Sequence, residues 1–265
     1  MIRKPNKLRK ILSEGGLAVG TAVHSWSPNV VEIAGYAGFD FIRIDGEHSW
    51  RRDFTAESLM RAATIADVAP ILRVDKDDPY LVRKALEIGA GAVLVPNITT
   101  AAECEAVVQA AKFPPRGIRG YAGDCFSAYW GTRAGREWVE WSDAEPLIGV
   151  MIEHVSALDH LDAIMAVEGL DWVLWGAADF SMSIGLRRPE RYHPEVMAAM
   201  QQVIAAANRH GIVVGAPTEE ENVKLYYEAG VRMFEILSDL LTLEEVWRRQ
   251  ALKVRGLSSN INKTD

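Results

Sequence analysis

The chain has very little cysteine. Its 265 residues contain two, Cys104 and Cys125, which rules out a disulfide framework and leaves no zinc spacing. A reducing, cytoplasmic location is expected, with both thiols serving as small buried hydrophobes. No run approaches the ~20 apolar residues of a membrane span. Basic residues are dispersed and the net charge is −7, which argues against a nucleic-acid surface. The one basic stretch is the first ten residues, with Arg3, Lys4, Lys7, Arg9 and Lys10. No apolar h-region follows, so it reads as a surface helix and not an export signal. Repeats and low-complexity tracts are absent. The polar tail from Ser258 to Asp265 is expected to fray.

About half of the chain is apolar, and short apolar runs alternate with helical patterns. The runs 17–23, 40–45, 69–74, 92–96, 147–153, 172–175, 212–216 and 233–237 read as strands. Several show little alternation, as expected for parallel strands covered by helices. Helices are expected at 28–37 (closed by Gly38), after the Asp78-Pro79 cap until Gly89, and at 100–112, where Phe113-Pro114-Pro115 stops the helix. Others fall at 159–167, 194–210, 219–229 and 243–255. Eight βα units over residues 1–265 indicate a single (β/α)₈ TIM-barrel domain. A doubly wound sheet is the alternative, but no glycine-rich phosphate turn follows the first strand. One connection, 113–146, is long, rich in glycine and aromatics, and reads as an active-site loop or an oligomer contact.

Barrel enzymes place their reacting groups at the carboxyl ends of strands. The second strand here ends in Asp45-Gly46-Glu47-His48. A carboxylate three residues before a histidine can tune an imidazole for proton transfer; a helix start capped by Asp45 is the plainer alternative. Arg73 ends the third strand and suits a developing oxyanion, or an internal salt bridge with Asp45 or Glu47. Glu153 and Asp179, after the fifth and sixth strands, offer hard oxygens to Mg²⁺ or Mn²⁺, or partners to arginines. None of the strands contains lysine. Lys76 sits in an acidic loop, so imine chemistry is disfavoured. No serine-nucleophile elbow or zinc-protease helix is present.

These pieces, in this order, resemble the HpcH/HpaI family of metal-dependent pyruvate aldolases. The matching motifs are Ala37-Gly38-Phe39-Asp40, Ile44-Asp45-Gly46-Glu47-His48, Leu72-Arg73, Asp78-Pro79, Leu94-Val95-Pro96, the run 113–120, Ile152-Glu153 and Gly176-Ala177-Ala178-Asp179-Phe180-Ser181. They span nearly the whole chain from Leu8. The resemblance implies Mg, Mn or Co held by Glu153 and Asp179, and His48 as general base assisted by Asp45. It also implies Arg73 on the oxyanion, and pyruvate carried by Gly176, Ala178 and Asp179. It implies reversible cleavage of a 4-hydroxy-2-oxo acid to pyruvate and an aldehyde. A homotrimer or homohexamer with exchange of C-terminal helices is implied too.

Departures stand beside these matches. Ala177 replaces a usual proline, Met151 a frequent glutamine, and Glu87 an aspartate that reaches a neighbouring subunit's histidine in some members. His24, Trp26, Tyr121, Phe126 and Trp130 are bulky where the family is small, and they suggest a changed acceptor pocket for a less anionic or more aromatic aldehyde. Alternatively, these aromatics pack a subunit interface. The competing functions are an acyl-CoA lyase, an oxo-acid decarboxylase, and a non-catalytic barrel that binds a keto acid.

Overall fold

A computed structural model describes residues 5–48, 55–78 and 80–261. Of the positions named above, Arg3, Lys4, Pro79 and Asp265 lie outside this set. The first helix, α1 (Lys7–Ser13), is capped by Asn6, whose Oδ1 accepts from the N–H groups of Leu8 and Arg9. Asn6 Nδ2 also donates to the carbonyls of Gly91 and Glu145, which lie just ahead of two strand starts. The expected surface helix is therefore also a plug, and it drives Leu8 fully out of water.

An alternating run follows: β1 (Ala18–Val23), α2 (Pro28–Tyr36), β2 (Phe41–Asp45), α3 (Thr55–Ile65), β3 (Ala69–Arg73), α4 (Tyr80–Glu87), β4 (Ala92–Val95) and α5 (Ala101–Ala111). After α6 (Arg136–Ala144) come β5 (Leu147–Ile152), α7 (Leu161–Met165), β6 (Trp172–Trp175), α8 (Ala177–Ser183) and α9 (Pro194–His210). The chain ends with β7 (Val213–Pro217), α10 (Val223–Ala229), β8 (Met233–Ser238) and α11 (Asp239–Ile261). The strands pair in parallel and in chain order, closing into a barrel. Every expected strand is present, and no end moves by more than one residue.

Local chemistry explains the well-read helices. Thr100 and Glu103 form a reciprocal capping box on α5, satisfying amides the helix leaves free. Pro194 opens α9, and Gly211 closes it in the left-handed region, as each residue's backbone favours. Helices α3, α6 and α8 escape the sequence pattern. Two others start with 3₁₀ turns at Val155–His160 and Glu220–Asn222. Helix α11 starts earlier and runs further than expected, taking in part of the tail thought to fray.

Along β2 the side chains alternate. Ile42 and Ile44 join the core under the helices, while Phe41 joins the barrel interior with Ile71, Leu94, Met151, Trp172 and Leu174. Arg43 and Asp45 share Phe41's side of the strand. Above the apolar floor the interior therefore turns charged.

The long connection corrects an expectation. It joins the end of α5 to the start of β5, so it lies at the amino-terminal end of the barrel. Phe126, Tyr129 and Trp141 line a groove there with Pro70, Gly91 and Pro146. The segment folds on its own core of Phe113, Ala128 and Trp138. Arg119 is buried within it, against the Phe113 ring. Cys104 is buried as expected, but Cys125 is only partly so.

The interior is filled tightly enough to test. Gly149 is in register with Trp172, and an added Cβ would overlap that buried indole. Gly149→Ala should lower stability by about 1–3 kcal/mol, read as a fall in the urea midpoint at unchanged slope. An unchanged midpoint would mean the barrel interior is not packed as described.

Candidate active site

The carboxyl ends of β1, β2, β3, β5 and β6 converge on one mouth. Its centre is Asp45, which is fully buried and in register with Arg73 across β2 and β3. The arginine grips it with two bonds, Nε to Oδ1 at 3.1 Å and Nη2 to Oδ2 at 2.6 Å. This paired geometry is the strong form of a guanidinium–carboxylate contact. Asp45 Oδ1 also accepts the backbone N–H groups of Glu47 and His48 at 3.1 and 3.2 Å. The capping alternative for Asp45 is thus realised locally, and the chain turns sharply after β2. Gly46 permits the turn, because a Cβ there would lie 2.5 Å from the Arg73 carbonyl oxygen.

Arg73 carries both of the salt bridges anticipated as alternatives, since its Nη1 lies 3.0 Å from Glu47 Oε2. It also donates weakly to Met151 Sδ at 3.7 Å, where a stronger side-chain acceptor would give a tighter bond. Burial opposes a charge on Asp45. The bonds from His24 and Arg73 overcome it and hold this carboxyl well below the usual carboxylate range.

The expected pairing of Asp45 with the His48 imidazole does not form. Asp45 touches the His48 backbone only, while the His48 ring is largely exposed and lies 3.6 Å from Glu47. The imidazole on Asp45 is that of His24, with Nδ1 3.1 Å from Oδ2. Trp26 is also drawn in, and its Nε1 donates to the Asp45 carbonyl oxygen at 2.8 Å. Of the five residues expected to shape an acceptor pocket, His24 and Trp26 reach the mouth. Tyr121, Phe126 and Trp130 do not, because the connection carrying them lies at the barrel's other end. There Tyr121 packs on Trp138, and Phe126 on Trp130 and Arg61.

Glu153 follows β5 and is buried. Its Oε1 accepts the Asn97 N–H at 2.7 Å. Gly176 gives it room, since a Cβ there would lie 2.6 Å from Oε2. Burial, then the charges of Asp179 and Glu47, push its carboxyl up to about 7 against the pull of the Asn97 amide and Arg73. Asp179 is exposed in the first turn of α8. Among the described residues no group of three or more His, Cys, Asp and Glu side chains stands close enough to hold a metal. The donor set still fits one: a buried carboxylate, a second one beside it, and an uncompensated negative charge that a divalent cation would relieve. Lys76 is tied to Glu103 Oε1 at 2.6 Å and to the Asn97 carbonyl oxygen at 2.8 Å.

Beneath the mouth lies a pairing that sequence reasoning missed. Arg43 donates from Nε and Nη2 to Glu235 at 2.5 and 2.8 Å, and its Nη1 lies 3.9 Å from Asp45. Both residues are buried. A charged residue on β2 and another on β8, each amid apolar neighbours, was the available signal.

The fold and mouth define an acid-rich (β/α)₈ barrel. The HpcH/HpaI aldolase/citrate lyase family model matches residues 20–243, and the chain belongs to that family. It is 31% identical over 249 residues to the hydroxypyruvate/pyruvate aldolase of Roseobacter denitrificans, covering 94% of this chain and 96% of that one. It is 32% identical over 238 residues to the 5-keto-4-deoxy-D-glucarate aldolase of Escherichia coli, covering 89% and 91%. The crystal structure of an HpcH/HpaI aldolase from Desulfitobacterium hafniense superposes with a TM-score of 0.88 at 30% identity, covering 94% and 96%.

The state of Glu153 makes a linkage prediction. Its folded value of about 7 exceeds the ordinary 4.5, so between these limits the folded state binds more protons than the unfolded one. The contribution of Glu153 to the stability of the metal-free protein therefore falls as pH rises through that window. The difference between wild type and Glu153→Gln isolates this contribution. The variant should gain up to about 3 kcal/mol relative to wild type on going from pH 4 to pH 8, by chemical denaturation. A pH-independent difference would mean that Glu153 is not raised.

Proposed function

We propose that this protein is a divalent-metal-dependent aldolase. It cleaves a 4-hydroxy-2-oxo acid to pyruvate and an aldehyde, and catalyses the reverse condensation. The observation that carries this reading is the buried, charge-crowded Glu153 beside Asp179, facing the Arg73–Asp45 pair across one barrel mouth. Relatives similar over nearly the whole chain are named aldolases, which supports a carbon–carbon lyase.

Glu153 and Asp179 would hold Mg²⁺, Mn²⁺ or Co²⁺, and the metal when bound supplies Lewis acidity toward the oxygens of the oxo acid. Helix α8 starts at Ala177, directly after β6 and Gly176. The free amides of its first turn, around Ala178 and Asp179, suit the substrate carboxylate. Arg73 brings a buried positive charge to oxygen atoms that become negative during bond cleavage. Glu47 must share Arg73 Nη1 for this to happen. His48, on the motif after β2, serves proton transfer from the exposed rim. Lys76 is engaged by Glu103, in keeping with a mechanism without an imine.

The acceptor side favours an uncharged aldehyde. A cavity of about 410 Å³ next to Glu47 is lined by Asp75, Asp77 and Asp78, with Lys76 and Asn97. This rim repels an anionic acceptor and the phosphates of coenzyme A alike. A barrel that only binds a keto acid would have no use for a carboxylate-linked imidazole at the mouth.

Two further aspects belong to the same reading. The free thiols Cys104 and Cys125 accord with a cytoplasmic enzyme. No helix among the described residues is long and apolar enough to cross a membrane. Helix α11 exposes Leu240, Leu241, Val246, Trp247, Leu252 and Val254, more apolar surface than a helix facing water carries. A homotrimer or homohexamer that exchanges this helix would cover it. Trp247→Asp should then shift the wild-type oligomer to smaller species in light scattering; a monomeric wild type would remove the proposal.

Metal-stripped protein and pyruvate in D₂O provide the direct test. Loss of the methyl proton signal should require added Mg²⁺, Mn²⁺ or Co²⁺. Glu153→Gln should weaken Mn²⁺ binding and slow this exchange together, by ~10²-fold or more. Exchange without metal, or Glu153→Gln with unchanged Mn²⁺ affinity, would overturn the assignment.

A further inference from the structure

His24 is the first residue after β1, and its surroundings fix both its backbone and its ring. Asp239, at the start of α11, accepts the backbone N–H groups of His24 and Ser25 at 3.0 Å each. Trp26 follows with a left-handed backbone at φ 52°, and its indole ties the loop to the Asp45 carbonyl oxygen. The imidazole meets Asp45 Oδ2 with Nδ1 at 3.1 Å and is 31% exposed.

Ring geometry then sets the direction of the other nitrogen. With Nδ1 on Asp45, Nε2 lies on the far edge of the imidazole. Nε2 accepts a hydrogen bond when the ring is neutral and donates one when it is charged. A hydroxyl group can do either, so it suits this nitrogen in both states. A carboxylate suits only the charged ring, and it meets the acidic side chains of Asp75, Asp77 and Asp78 that line the cavity beside Glu47.

Strand order determines which part of a substrate reaches this ring. In the closed ring of eight strands, β5 stands opposite β1. Glu153 and Asp179, the proposed metal carboxylates, follow β5 and β6, and Arg73 ends β3. An oxo acid held from the β5 and β6 side, with its C2 oxygen toward Arg73, extends its remaining carbons toward β1. Beyond the C3–C4 bond that breaks, the first of these is C5, which the aldehyde carries next to its carbonyl.

We propose that His24 is a specificity-determining residue of the acceptor side, and that its Nε2 bonds a hydroxyl group on C5 of the substrate. The preferred substrates are then 4,5-dihydroxy-2-oxo acids, and the preferred acceptors 2-hydroxyaldehydes. The proposal deepens the aldolase reading above and rests on it. The contact is one of recognition, and proton transfer stays with His48 on the turn after β2. A ring already held by Asp45, on a backbone already held by Asp239, loses little freedom on binding, which favours discrimination.

Condensation of pyruvate with matched aldehydes, with Mn²⁺ present, tests this role. Acetaldehyde and glycolaldehyde differ by one hydroxyl group, and glyoxylate carries a carboxylate in place of the hydroxymethyl group. Pyruvate methyl exchange in D₂O, which needs no aldehyde, is measured beside them. His24→Phe fills the space without a polar atom and should lower the glycolaldehyde-to-acetaldehyde ratio of kcat/KM ~10-fold. His24→Gln keeps an amide N–H for Asp45 and a carbonyl oxygen for the hydroxyl, and should hold that ratio within ~3-fold of wild type. Where His24→Phe does not fold, His24→Ala carries the same expectation. An unchanged ratio in the apolar variant would overturn the proposal. So would a ratio in His24→Gln that falls as far as in His24→Phe, or a loss confined to glyoxylate. A wild type that exchanges the methyl protons with metal but condenses with neither aldehyde would also overturn it, with the oxo-acid site left standing. A wild type without metal-dependent exchange would remove the aldolase reading itself.

Discussion

The mouth of this barrel depends on keeping one buried carboxylate charged. Asp45 has no exposure to water, and an unpaired anion there would cost several kcal/mol. It is tolerated because four residues supply donors: Arg73 from β3, His24 from the end of β1, and Glu47 and His48 through their amides after β2. Trp26 adds a bond to the backbone of the same residue. The contact therefore joins three consecutive strand ends. It orients the guanidinium and one imidazole at once. Losing the carboxylate would free Arg73, release His24 and open the turn carrying Glu47 and His48.

A second charged layer lies below it. Arg43 and Glu235 bridge β2 and β8 within the interior, and Arg43 Nη1 reaches toward Asp45. A buried ion pair of this kind contributes little net stability, because desolvation offsets much of the attraction. Its effect here is positional. It places a fixed positive charge near Asp45, and so favours the ionised form that Arg73 and His24 bond to.

Much of this was legible in the sequence. Strands with little alternation marked a parallel barrel, and polar residues at their carboxyl ends marked the mouth. Asp45, Arg73, Glu153 and Asp179 all appear there. The arginine and amide partners of Asp45 were among the alternatives, but its imidazole partner was not legible, because nearness along the chain favoured His48. Asp45 and His48 are three residues apart, yet the turn spends the carboxylate on backbone amides and turns the ring outward. His24 is twenty-one residues away and reaches Asp45 only because β1 and β2 are neighbours. The aromatics of 113–146 misled for a related reason. Their composition resembles that of a substrate loop, but the segment follows a helix and precedes a strand, and such connections end at the barrel floor.

The balance of charge at the mouth explains why Glu153 differs from Asp45. Among the described residues the carboxylates of Asp45, Glu47, Glu153, Asp179 and Glu235 crowd two guanidinium groups, Arg43 and Arg73. Asp45 and Glu235 take the bidentate contacts, and Glu47 takes what Arg73 has left. Among the described residues Glu153 has one amide donor, from Asn97; its burial and the charges of Asp179 and Glu47 outweigh that bond and the pull of Arg73, so its affinity for a proton rises. A divalent ion would replace that proton and settle the whole excess at one point. In the proposed mechanism, Arg73 would meet the oxyanion charge without loss of Asp45. Arg43 lies behind Asp45, so the carboxylate keeps a positive neighbour when Arg73 turns part of its field toward substrate. Barrel interiors of this fold are ordinarily filled with branched apolar side chains. Here one interior layer is given over to an ion pair, and the most direct consequence is a carboxylate that stays ionised beside the His24 imidazole.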